Sequence, residues 1–143
     1  MMEAIILAGG FGTRLRTVVP DLPKPMARVA GKPFLEILLK SLAQKGFKRV
    51  VLSLGYKANV IVSHFGNEFQ GLTLKHAVEE HPLGTGGAIR LALSHCMNDR
   101  VFVFNGDTFL DLECELVEQL WQRNHRPIIV GRTVPDTSRY GRL

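Results

Sequence analysis

A short apolar run, Ile5-Ile6-Leu7-Ala8, empties directly into Gly9-Gly10-Phe11-Gly12-Thr13-Arg14-Leu15, and Pro23-Lys24-Pro25 follows within ten residues. No other feature constrains the fold as strongly. The run is the length of one buried strand, and glycines placed directly after it call for a tight turn at the strand's carboxyl end. Glycines let a backbone approach an anion and turn its N–H groups toward it. Arg14 and Lys24 add full positive charges that glycine cannot supply. The ligand this pattern first suggests is a nucleoside triphosphate.

The rest of the chain alternates in the same way. Apolar patterning predicts strands at 3–8, 48–54, 72–78, 101–104 and 127–131, with 101–104 of the type buried on both faces. It predicts a helix at 34–45, with Leu35, Leu38, Leu39 and Leu42 on one face and Gly46 as its stop. Further helices are expected at 57–65, closed by Gly66, at 85–97 on Ile89, Ala92, Leu93 and Cys96, and at 113–124 on Leu116, Leu120 and Trp121. Residues 133–143 have no clear periodicity. Strand and helix repeating at this spacing imply right-handed βαβ units and an α/β fold with a mostly parallel sheet. A chain of 143 residues reads as one domain, and this size buries about two-thirds of its unfolded surface.

Ligands of open α/β sheets sit beyond the carboxyl ends of the strands. Four loops put polar and glycine-rich residues there: Gly9 to Arg14, Gly55-Tyr56, Glu79 to Gly87, and Asn105-Gly106-Asp107. The first loop is not a dinucleotide fingerprint, because Leu15 stands where a third glycine is needed. It is not a Walker A loop either, because no Gly-Lys-Ser/Thr follows. The prolines beside Lys24 are expected to hold it in extended backbone and limit where its ammonium can go. In Glu79-Glu80-His81-Pro82-Leu83-Gly84-Thr85-Gly86-Gly87-Ala88, Thr85 can act as the N-cap of the next helix. Gly84 backbone groups beside Glu79 can also meet a base edge, which favours guanine, since a carboxylate accepts from its N1–H and 2-amino group. Asp107 reads either as a cap of the next turn or, next to a triphosphate, as a Mg²⁺ ligand.

Other features exclude more than they suggest. His64, His76, His81, His95 and His125 lack ligand spacing and read as surface or packing residues. Cys96 and Cys114 are isolated, as expected of buried thiols in a reducing cytosol. A formal net charge of +5 suits anionic ligands. There is no run of five like charges and no basic stripe interleaved with aromatics, so a nucleic-acid partner is not expected. No apolar stretch is long enough for a membrane span, no signal peptide is read at the N-terminus, and the expected location is the cytoplasm.

Taken together, Leu7 to Leu15, Pro23 to Pro25, Glu79 to Ala88 and Gly106-Asp107 resemble, in order, the motifs of the sugar-1-phosphate nucleotidyltransferases. Within that family the chain is similar to the guanylyltransferases of manno-heptose 1-phosphate. That likeness is carried by Asp21 to Met26, Gly31 to Glu36, Leu54 to Lys57 and Asn105 to Phe109. The resemblance implies a three-layer, Rossmann-like (GT-A-like) sheet with helices on both faces. It implies transfer from a nucleoside triphosphate to a sugar 1-phosphate with release of pyrophosphate. By resemblance, Leu7, Ala8, Gly9, Gly10, Gly12, Thr13, Arg14, Glu79, Pro82, Gly84 and Thr85 hold the nucleotide, with Arg14 on the leaving phosphates. Lys24 is implied to neutralise the α-phosphate and Asp107 to bind Mg²⁺. Asn105, Tyr140 and Gly141 are implied to approach the sugar. Family members continue past this length, with a Glu-Lys pair and a later metal-binding aspartate. The chain therefore resembles the nucleotide-binding part, either acting in the transfer or binding without turnover, and an open sheet edge that pairs two copies is expected.

Overall fold

A computed structural model describes residues 1–10 and 22–138. The expectations for Phe11, Gly12, Thr13, Arg14, Tyr140 and Gly141 lie outside the described residues. The chain forms two compact units, Met1–Phe109 and Leu110–Leu143.

In the first unit, β1 (Met2–Leu7) is followed by a 3₁₀ turn (Lys24–Met26) and a small antiparallel ribbon, β2 (Arg28–Val29) and β3 (Lys32–Pro33). Then come α1 (Phe34–Gln44), β4 (Phe47–Leu54), α2 (Ala58–Phe65), β5 (Glu68–Phe69), β6 (Leu72–Val78), α3 (Gly84–Leu93) and β7 (Phe102–Asn105). The main sheet has the order β5-β6-β4-β1-β7, parallel throughout except for the β5–β6 pair. The chain runs outward from β1 to β4 and β6, then crosses back to place β7 on the other side of β1. Such a reversal of strand order opens a crevice at the carboxyl ends.

Side chains alternate across the strands. Ile5, Val51 and Ala77 project toward α3 and form one core with its Ala92, with Leu7 and Ile89 packed against it. Ala4, Ile6, Val50 and Leu52 project to the other face and are equally buried. The face of α1 is the expected one: Leu35, Leu38, Leu39 and Leu42 are all buried. Gly46 follows this helix at φ +86°, where a side chain would be strained.

At the opposite end of the sheet from the strands' carboxyl ends, Glu3 is fully buried and accepts hydrogen bonds from the N–H groups of Met97 and Asn98 at 2.9–3.2 Å. Arg49 Nε lies 2.8 Å from it, and Arg49 also donates to the His95 carbonyl. This network ties β1 and β4 to the segment between α3 and β7. The sequence reading attached no structural role to Glu3.

Several expectations change. The strand expected at 101–104 is β7, which among the described residues pairs only with β1 and is not buried on both faces; Val103 is 43% exposed. The helix expected at 85–97 starts at Gly84 and ends at Leu93. Ser94, His95 and Cys96 continue it only as tighter turns, bonded to Leu91, Ala92 and Leu93. Leu93 points outward, and Ala88 joins Ala92 as the buried face, since small residues let the helix lie close to the sheet. Lys24 is not in extended backbone. Pro23 is extended, but Lys24 opens the 3₁₀ turn, closed by Met26 N–H on the Pro23 carbonyl. Pro25 is tolerated there because its missing N–H would have no partner in a first turn.

In the second unit, α4 (Cys114–Asn124) forms as expected, with Cys114 buried, but Leu116 and Leu120 are open to solvent. Residues 127–131 are not a strand: they have no ladder partner among the described residues, and Ile129 is largely exposed. An unpaired run cannot satisfy its backbone groups as a strand does.

Candidate functional site

The ladder hydrogen bonds continue past the strand ends and fasten the loops there to one another. Ala8 N–H donates to the Ser53 carbonyl, Glu79 N–H to Leu54, and Gly106 N–H to Leu7, each at 2.8 Å. This closeness requires glycine at two positions and leaves little room at a third. A Cβ on Gly55 would stand 2.6 Å from the Gly9 carbonyl oxygen, and one on Gly106 would stand 2.7 Å from that of Leu7. On Gly9 it would meet Glu79 Oε1 at 2.8 Å and the Leu54 carbonyl carbon at 3.2 Å. Gly9 thus serves loop packing, a demand that a phosphate-cradle reading of its motif does not include.

These loops enclose a cavity of about 420 Å³, within the range of small-molecule sites. Of the residues singled out in the sequence, Leu7, Gly9, Gly10, Glu79, Pro82, Gly84, Thr85 and Asn105 line it. Ala8 does not: it is buried, with its N–H in the ladder. Ser53, Gly55, Tyr56, Glu80, His81 and Ala88 also line the cavity. Gly55-Tyr56 carried a signal in its place after a strand. His81 is exposed, as a surface residue was expected to be, and it also lines the cavity, while Ser53 gave no sign beyond being a hydroxyl in an apolar strand. Its Oγ is buried without a hydrogen-bond partner among the described residues.

Glu79 lines the cavity and ties two of its loops. Its Oε2 accepts the Leu83 N–H at 2.9 Å, and its Oε1 faces Gly9. The N-cap of α3 is Leu83, not Thr85, and no side chain among the described residues caps the helix. Gly84, at φ +70°, turns the chain into the helix. Among the described residues, therefore, nothing takes up the first-turn N–H groups of α3, which lie at the positive end of the helix dipole.

Lys24 and Asp107 do not line the cavity, but the fold joins them. Lys24 Nζ donates to Asp107 Oδ2 at 2.5 Å across 83 residues of sequence, and Thr108 Oγ1 donates to Oδ1. The Lys24 hydrogen bond holds the Asp107 carboxyl below the usual carboxylate range, against the opposing effect of partial burial. No group of three or more metal-ligating side chains occurs among the described residues. Magnesium is commonly held by one or two carboxylates together with substrate phosphates and water. Asp107 fits that role, as a hard, ionised, half-exposed donor with a cation already standing at it.

The sequence model of the family described as nucleotidyl transferase matches residues 3–143. A D-glycero-alpha-D-manno-heptose 1-phosphate guanylyltransferase of Campylobacter jejuni is 42% identical over 140 residues, covering 98% of this chain and 62% of the relative. A mannose-1-phosphate guanylyltransferase of Mycobacterium tuberculosis is 45% identical over 107 residues, covering 74% of this chain and 30% of the relative. The crystal structure of HddC from Yersinia pseudotuberculosis complexed with GMP-PN superposes with a TM-score of 0.76 at 39% identity, covering 85% of this chain and 54% of that one. The chain spans less than two-thirds of the length of each of these proteins.

Proposed function

The chain belongs to the nucleotidyl transferase family, and we propose that it serves the transfer of GMP from GTP to a sugar 1-phosphate of the manno-heptose or mannose type. The observation that carries this reading is the convergence of four strand-end loops on one cavity, with a lysine–aspartate pair on two of the flanking segments. The names of the heptose and mannose relatives support the choice of base and sugar class.

On this reading the sugar phosphate oxygen attacks the α-phosphorus in line. A bond forms from that oxygen to phosphorus, the bond to the β-phosphate oxygen breaks, and pyrophosphate leaves. No protein nucleophile is needed, so catalysis is positioning and charge neutralisation. Lys24 supplies positive charge for the α-phosphate, and Arg14 for the leaving phosphates. Gly84 and the first turn of α3 present backbone donors to the base, and Glu79 accepts from it. Asn105 and the Tyr140-Gly141 segment are assigned to the sugar. Mg²⁺, when bound, would be held by Asp107 and would offset phosphate charge. The setting proposed is the cytoplasm, and no helix among the described residues is long and apolar enough to cross a membrane. The unpaired side of β7 among the described residues is the proposed edge for a homodimer, which sedimentation would detect.

Calorimetric titration with GTP, UTP, CTP and dTTP in the presence of Mg²⁺ tests the site, and pyrophosphate release with a heptose or mannose 1-phosphate tests the transfer. GTP is expected to bind tightest. Tighter binding of UTP would reject the guanine assignment. No binding of any at millimolar levels would reject the site, and GTP binding without pyrophosphate release would reject the transfer.

A further inference from the structure

The two charges that the proposed reaction needs for different partners are here spent on each other. Lys24 Nζ and Asp107 Oδ2 are in direct contact, and each side chain is 42% exposed. Neither sits on a loose tether. The Lys24 turn is closed by Met26 N–H on Pro23 and Ala27 N–H on Lys24. Asp107 follows Gly106, whose N–H is fastened to Leu7 and whose Cα has no room for a side chain. A carboxylate oxygen facing an ammonium this closely has no free approach for a divalent cation on that side. The ammonium, likewise, is not free to meet a phosphate.

We propose that Lys24 is a stand-in cation for Asp107, and that metal and triphosphate bind through an exchange in which the divalent cation takes the carboxylate and the released ammonium turns to the phosphates. The inference rests on the nucleotidyl transfer reading of the site and adds to it a coupling between the two ligands. Half-exposed ion pairs are weak, so the exchange is easily made and its effect on either ligand alone reaches about fivefold at most. By linkage, whatever the metal adds to triphosphate affinity through this pair, the triphosphate adds to metal affinity.

The test reads each ligand without the other. Mn²⁺ binding is followed by electron paramagnetic resonance with no nucleotide, in the wild type and in K24M, K24Q and D107N, each first checked for native circular dichroism. The lysine variants are expected to bind Mn²⁺ about three- to fivefold tighter than wild type, and D107N to lose that site. In EDTA, D107N is expected to bind GTP more tightly than wild type, because its lysine is free. In the wild type, the ¹H–¹³C signal of the Lys24 Cε methylene at its Asp107-paired position is expected to vanish as Mg²⁺ saturates. Mn²⁺ affinity unchanged or weakened in both lysine variants, or a Lys24 signal that persists at that position at saturating Mg²⁺, overturns the exchange. The outcomes separate from those of the underlying reading. If GTP fails to bind at all, the nucleotide assignment falls while the Mn²⁺ measurements still decide whether Lys24 occupies a cation's place. If GTP binds and the Mn²⁺ and Lys24 measurements fail, the exchange alone falls.

Discussion

Replacing Gly106 with alanine should cost about 2–4 kcal/mol of stability and loosen the site at the same time. The added Cβ would stand 2.7 Å from the Leu7 carbonyl oxygen and 3.1 Å from both Cα and Cβ of Ala8, where ordinary contact begins at 3.4 Å. The obstacles are backbone and a buried alanine, so no flexible side chain can swing aside. The same Leu7 oxygen accepts the Gly106 N–H at 2.8 Å. Opening the gap by about 0.7 Å would stretch that bond beyond hydrogen-bonding distance. Overpacking of this kind typically costs 1–3 kcal/mol, and one lost backbone hydrogen bond adds about 1 kcal/mol. Asp107 is the next residue, so its contact with Lys24 shifts with it. Equilibrium urea unfolding followed by circular dichroism measures the first effect, and Mn²⁺ affinity the second. Gly86→Ala is the matched control. It lies in α3, and a Cβ there meets nothing within 4 Å among the described residues, so it should be neutral or stabilising by up to about 1 kcal/mol. A Gly106→Ala protein within about 0.5 kcal/mol of wild type would refute the reasoning, because the close approach of the two loops would then not be real.

Glu3→Ala should cost about 3–5 kcal/mol in the same unfolding assay, since it removes the buried partner of Arg49 and the acceptor of two part-buried N–H groups; a loss below about 1 kcal/mol would mean the network is not formed. Burial pushes the Cys96 thiol up to about 11, with Glu3 adding to it. Iodoacetamide at pH 8 should therefore alkylate Cys96 about a hundredfold more slowly in the native protein than in urea, and equal rates would contradict this. Burial also holds His76 below the ordinary histidine range, against the raising effect of the hydrogen bond its ring donates to the Gly66 backbone carbonyl. As pH falls, the unfolded chain takes up this proton first, so stability should decline below about pH 6.5. His76→Gln should flatten the difference between unfolding at pH 5.5 and at pH 7.5, and an unchanged slope would remove His76 as the cause.

Much of the fold was legible. The four leucines of α1 lie on the buried face their spacing indicated, and β6 has the bounds its alternation indicated. The β2–β3 ribbon was not legible, although Gly31 marks its turn. The residue before it, Ala30, sits at φ +50°, which an alanine gives no reason to expect. The strand expected at 127–131 shows the opposite error: apolar residues in a row raise the propensity for a strand but do not supply the neighbour that a ladder needs. In the site, the cavity residues on glycine-rich loops could be read from their types and order. Ser53 and His81 could not, because neither their identity nor their spacing differs from that of packing residues.

The sequence by itself determined the alternation of strand and helix, the succession of motifs at strand ends and the family. Periodicity, turn chemistry and motif order are properties of residues close together in the chain. The tertiary structure alone decided that β1 is flanked by β4 and β7, and that Gly9, Gly55 and Gly106 are glycines because loops touch there. It also decided that Glu3 is a buried anchor and that Lys24 faces Asp107 across 83 residues. Those facts depend on desolvation and on contacts between groups far apart in sequence, and only the folded chain brings such groups together.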